Sequence, residues 1–147
     1  VSSTDVVIAA LNDLLSAEQR NLAPRLVQAD VFVSGMSVRA SDVVRRMAET
    51  MRRNGEQLVE LIFDLGGEPR PRPCDVSTAH LHYQELSYVL PDLIRAHEKL
   101  IRHYVDARSK VAGNTRATEL VNRILNQHEH DLLSLKDLWP SPMVSAG

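Results

Sequence analysis

At 147 residues the chain is long enough to bury a real core in one domain. Its 17 basic and 19 acidic side chains leave a formal net charge of -2, which excludes a global field drawing it to nucleic acid or anionic lipid. Neither end carries a Lys/Arg-rich arm, and no uninterrupted apolar stretch could span a bilayer.

The first predicted helix starts after Ser3-Thr4-Asp5, whose side-chain oxygens are expected to cap it. Ile8, Leu11, Leu15, Leu22, Leu26 and Val33 then recur on one face at helical spacing. Pro24 predicts a kink, and residues 33–37 read as a turn. Ser41-Asp42 is the expected cap of the second helix. Its apolar face runs through Val44, Ala48, Met51, Leu58, Ile62 and Leu65 and stops at Gly66-Gly67. From Glu68 to Pro73 every second residue is proline, so an extended strap follows. The single cysteine, Cys74, sits beside this strap and reads as an incidental surface thiol.

Ser77-Thr78 is expected to restart a helix that continues to about Ala112, with Pro91 bending a crossover piece away from the third main helix. Gly113-Asn114 closes it, and Thr115 is the expected cap of the fourth helix. That helix carries Ala117, Leu120, Ile124, Leu132, Leu135 and Leu138 before Trp139-Pro140. The expectation is an all-α protein: one four-helix domain over residues 1–140, a loose tail over 141–147, and two helix pairs joined by one long connection. A bundle with a single long crossover has the ferritin-like connectivity. The start of the chain lacks the basic region and apolar run of a signal peptide, unless one has been removed, so reduced cytoplasm is the expected location.

Each helical residue advances about 100°, so inward-pointing polar side chains can be identified. Glu18 falls among Leu11, Leu15 and Leu22. His97 lines up with Leu90, Leu93, Leu100 and Tyr104. His128 and Asp131 share the face of Ile124 and Leu135, and Met51 and Asn54 take the same level on the second helix. A buried ionised carboxylate costs several kcal/mol unless it is paired or bound to a cation. Glu18, His97, His128 and Asp131 are therefore either a metal centre for iron, manganese or zinc, or a buried hydrogen-bond network in which Arg25 could take part. Both readings stand at this point.

Glu49, Glu56 and Glu60 share a different face, with Arg45, Arg52 and Arg53 nearby. Pairs such as Glu49–Arg53 or Glu49–Arg45 predict a solvated or dimer-facing charge network, with a metal site between subunits as the other possibility. His80 and His82 read as crossover residues, and His103 and His130 as solvent-facing. Tyr83, Tyr88 and Tyr104 read as packing residues.

These residues resemble the ferritin-like superfamily, specifically bacterioferritins and Dps-type miniferritins. Leu11-Asn12-Asp13-Leu14-Leu15-Ser16-Ala17-Glu18 looks like the start of the bacterioferritin first helix, where that glutamate is a di-iron ligand. The stretch from Leu58 to Pro69 is similar to the end of its second helix. Residues 93–101 and 126–130 look like the last two helices of the miniferritin branch.

The resemblance implies an up-down-down-up bundle, bound iron or another divalent transition metal, oxidation of iron by O2 or peroxide, and a homo-oligomer of at least two subunits. It also carries departures. The bridging Glu and the His of the bacterioferritin second helix match Met51 and Asn54, and the third-helix Glu falls nearest Ile94. Its second E-x-x-H matches Gln127 and His130, or His128 and Asp131 after a one-residue shift. The haem-ligating methionine position holds Arg52, so no haem is expected. Miniferritins place an acidic pair where Glu56 and Glu60 stand, but no histidine precedes His80 to partner them.

The ligands expected first are Glu18, His97, His128 and Asp131, with Glu56, Glu60 and His130 in second place. A metal-free structural protein that kept the bundle for assembly is the alternative function. A DNA-protecting miniferritin is the third, and the missing basic tail counts against it.

Overall fold

The computed structural model describes residues 3–21, 38–71 and 86–138, and these form four helices with no strand among them. They are α1 (Ser3–Arg20), α2 (Val38–Asp64), α3 (Leu86–Val111) and α4 (Thr115–Leu138). Each buries an apolar stripe: Leu11, Leu14 and Leu15 from α1, Val44, Met51, Leu58 and Ile62 from α2, Leu93, Leu100 and Tyr104 from α3, and Val121, Ile124 and Leu135 from α4. The α1 stripe is wider than a single row, because Leu14 and Leu15 are both buried.

α1 packs beside α2 and α3, and α4 packs beside α3 and α2, so α2 and α3 lie on a diagonal of the bundle. Directions follow from side-chain contacts. On α1 and α2, Asn12 in the middle of α1 reaches Glu68 just beyond the end of α2, while Glu18 near the end of α1 reaches Asn54. On α2 and α4, Arg39 pairs with Asp137 and Asp64 with Arg116. On α3 and α4, Glu98 pairs with Lys136 while Thr118 caps the Val111 carbonyl. Neighbours are thus antiparallel, α2 and α3 run the same way, and the expected up-down-down-up order is the observed one; the connection between α2 and α3 over residues 72–85 lies outside the described residues.

The stop at Gly66-Gly67 is a Schellman motif. Gly67 N–H donates to Ile62 C=O at 2.9 Å and Gly66 N–H to Phe63 C=O at 3.0 Å, with Gly66 at φ 87°. A Cβ on Gly67 would lie 2.7 Å from Ile8 Cγ2, so the chain passes α1 at a distance only glycine permits. Asn12 then clasps the strap from both sides: its Nδ2 donates to Glu68 C=O at 3.1 Å and its Oδ1 accepts from Arg70 N–H at 2.6 Å. Glu68 to Pro71 are non-helical, as their prolines require.

Four local expectations are corrected. Ser3-Thr4-Asp5 lies within the first turn of α1 and does not precede it; Asp5 there suits the positive end of the helix dipole. Ser41-Asp42 lies inside α2, where the Ser41 hydroxyl accepts from Arg45. The cap of α4 is Asn114, not Thr115: Asn114 Oδ1 accepts from Ala117 N–H at 2.9 Å, the side-chain bond an N-cap makes to the third helical residue. The ion-pair partner of Glu49 is Arg52, which bridges Glu49 and Glu56 one turn either side, while Arg53 acts on Glu49 only as a nearby charge. Pro91 sits inside α3, where its missing N–H removes the bond to the Ser87 carbonyl. Pro24, Arg25, the turn at 33–37, Cys74, the restart at Ser77-Thr78, His80, His82, Tyr83, Trp139 and the tail lie outside the described residues.

Candidate metal centre

The inward-facing polar residues meet. Glu18, Asn54, His97, His128 and Asp131 are all buried, Glu18 at 1% and both imidazoles at 0% exposure. Each is held by the helix that carries it: Glu18 closes the apolar stripe of α1, His97 stands one turn before Leu100 on α3, and His128 stands one turn after Ile124 on α4. Burial of this many polar groups is tolerable only where they bond to one another.

Glu18 Oε1 is the hub. It accepts Tyr104 Oη–H at 2.5 Å, His128 Nε2–H at 2.5 Å and Asn54 Nδ2–H at 3.5 Å. Donors from α2, α3 and α4 thus converge on a single oxygen from α1. Burial, with Glu18 beside it, pushes the Tyr104 phenol well above its ordinary pKa, so the hydroxyl stays a donor.

His97 Nε2–H donates to the backbone carbonyl of His128 at 3.1 Å, and the two rings meet edge to face with centroids 4.9 Å apart. Burial first, and the neighbouring His128 second, pull His97 down to about 3, against the raising effect of its backbone bond. His97 is therefore a neutral imidazole with its proton on Nε2 and a lone pair on Nδ1. Asp131 Oδ1 accepts Gln127 Nε2–H at 3.0 Å. Burial raises the Asp131 carboxyl, while the Gln127 bond, His128, His130 and Arg46 draw it down.

Several buried atoms in this cluster have no hydrogen-bond partner: Glu18 Oε2, His97 Nδ1, His128 Nδ1 and Asp131 Oδ2. Each belongs to one of the four residues expected as ligands. Among the described residues, His97, His128 and Asp131 are the group whose donor atoms all lie within 4.8 Å of one another; Glu18 falls outside it. Imidazole nitrogens and a carboxylate oxygen form a donor set for Fe, Mn or Zn.

The second-rank candidates are placed elsewhere. Glu56 is exposed and bound by Arg52, and Glu60 lines a surface groove with Arg116 and Arg123. His130 is exposed on α4 and His103 on α3, both as expected. A groove of about 330 Å³ between α2 and α4, walled by Arg46, Arg53, His130 and Ser134, reaches Asp131. Asp131 thus faces both the buried cluster and the surface.

Sequence reading missed the polar duties of Tyr104 and Gln127. Tyr104 lies seven residues after His97, two helical turns along one face, so its hydroxyl was placed to join the cluster. Gln127 stands four residues before Asp131, the helical spacing for a side-chain bond.

No protein-family model matches the chain, and no curated protein matches it. Among solved structures it is similar to a bacterioferritin from Desulfovibrio desulfuricans, determined to view its di-iron site in different catalytic states. That likeness has a TM-score of 0.72 at 19% identity and covers 94% of this chain and 82% of the other. With four helices, no strand among the described residues and this match, the chain has the ferritin-like four-helix bundle fold.

Proposed function

We propose that this protein is a ferritin-like metal-binding protein whose core centre, at His97, His128 and Asp131 with Glu18 alongside, holds a transition-metal ion, iron first among the candidates. The observation that carries this reading is the set of orphaned donor atoms. Leaving a buried polar atom unpaired costs about 1–3 kcal/mol each, and four such atoms fall on the four expected ligands. A bound cation would satisfy His97 Nδ1, His128 Nδ1 and Asp131 Oδ2 together. The fold is similar to that of a bacterioferritin with a di-iron site, so iron oxidation, storage or protection against oxidants is the activity class to test. The chain is proposed to act in the cytoplasm as a homo-oligomer of at least two copies; no described helix is long and apolar enough to cross a membrane.

Metal analysis of protein purified without chelator tests the reading. The expected result is substantial bound metal, lost in His97→Ala and His128→Ala. Less than about a tenth of an equivalent, with no iron-dependent oxidation signal, overturns it. One observation favours a metal-free structural protein instead: Glu18 Oε1 already takes three hydrogen bonds from Tyr104, His128 and Asn54. That reading predicts no binding and no change in melting temperature on adding iron, manganese or zinc. Light scattering gives the number of copies.

A further inference from the structure

We infer that the centre takes one ion per chain, on Nδ1 of His97, Nδ1 of His128 and the carboxylate of Asp131, and that Glu18 is a positioning residue for His128 and not a ligand. This rests on the metal reading above and deepens it.

The two imidazoles are tied in the same sense. His97 Nε2–H is held by a backbone carbonyl and His128 Nε2–H by Glu18 Oε1, while both Nδ1 atoms are buried with no partner. A hydrogen bond from one ring nitrogen fixes the tautomer and aims the other nitrogen at a metal, the usual arrangement around liganding histidines. Glu18 Oε1 is taken up by donors from three helices, and although Oε2 has no partner, Glu18 lies outside the group whose donor atoms converge. Asn54 reinforces the assignment, since its amide donates to the same oxygen and steadies the carboxylate.

The ligand count sets the stoichiometry. Paired metal ions about 3.5–4 Å apart need carboxylates that bridge them or ligands enough for two shells. α2 brings Met51 and Asn54 to this level of the core, with no carboxylate, and Ile94 of α3 is apolar. Two nitrogens and one carboxylate fill three positions of one ion. The residues present do not fit a di-iron pair.

Cobalt(II) titration of the full chain, followed by visible absorption and equilibrium dialysis, tests this. The expected result is one ion per chain. In Glu18→Gln, which keeps an oxygen to accept from His128 Nε2–H, the cobalt bands should keep their positions while the dissociation constant rises about 10- to 100-fold. Asp131→Asn should shift the bands, because a ligand oxygen changes. Two ions bound per chain, or displaced cobalt bands in Glu18→Gln, overturns the inference and leaves the metal reading standing. Absence of cobalt binding in the unaltered protein overturns the metal reading itself. The stoichiometry arm decides the matter without any variant, should Glu18→Gln fold poorly.

Discussion

Tyr104 donates its hydroxyl hydrogen to Glu18 across 2.5 Å, from the third helix to the first, with both side chains fully enclosed. This bond is one of three on the same oxygen, so its loss leaves the carboxylate less satisfied without emptying the core. Tyr104→Phe keeps the ring packed against His128 and removes only the donor. The expected cost is about 1–3 kcal/mol, read as a lowered denaturant midpoint with an unchanged slope in urea unfolding. A Tyr104→Phe protein as stable as the unaltered one would show that the bond contributes nothing net.

His97 makes stability depend on pH. Its pKa falls from 6.5 in the unfolded chain to about 3 in the folded one, so between those values the unfolded state binds the extra proton. Stability therefore falls as pH drops from 6.5 toward 3, by about 1.4 kcal/mol per unit for one proton. Asp131, raised by burial, works in the opposite sense above its ordinary pKa of 3.8, because there the folded state holds the proton. Urea melts of the metal-free protein at several pH values should show the His97 contribution as slope that disappears in His97→Phe. Parallel pH profiles for the two proteins would remove His97 as the source.

The Schellman turn gives a paired prediction. Gly66→Ala forces a side chain into φ 87° and should cost about 1–2 kcal/mol. Gly67→Ala meets Ile8 Cγ2 at 2.7 Å, and the branched Ile8 has few rotamers with which to yield. Shortening Ile8 to Ala should therefore recover part of the Gly67→Ala loss but none of the Gly66→Ala loss. A double-mutant cycle on thermal unfolding measures the difference.

Asn114 offers a test of the corrected cap. Asn114→Ala should lower stability by about 1 kcal/mol by releasing Ala117 N–H, whereas Thr115→Ala should change little. Equal losses in the two variants would return the capping role to Thr115.

The architecture was legible because its signals are local. The Gly66-Gly67 stop, the proline strap and the 3.6-residue stripes each follow from backbone rules that need no tertiary knowledge. The inward direction of Glu18, His97, His128 and Asp131 came from the same periodicity, and all four are buried. Their hydrogen bonds could not be read this way. Whether Glu18 bonds a metal, an arginine or a tyrosine depends on relative helix rotation, which a one-dimensional pattern does not encode. Tyr104 was legible as a packing residue because its ring dominates its area; only the neighbouring carboxylate reveals its hydroxyl. Helix starts shifted by one to about five residues for a plainer reason: Ser, Thr and Asp are found inside a first turn as well as before it.

The diagonal placement of α2 and α3 divides the molecule into two hairpins, α1 with α2 and α3 with α4. Glu18 and Asn54 belong to the first, while Tyr104, His97, His128 and Asp131 belong to the second. Neither hairpin can complete the buried network alone: one carries the hub acceptor, the other its two short donors. Two copies of the same hairpin facing each other would bury either two carboxylates or a surplus of imidazole. The polar centre thus acts as a recognition code between the halves. A chain severed between α2 and α3 should rebuild itself from unlike fragments and reject like ones.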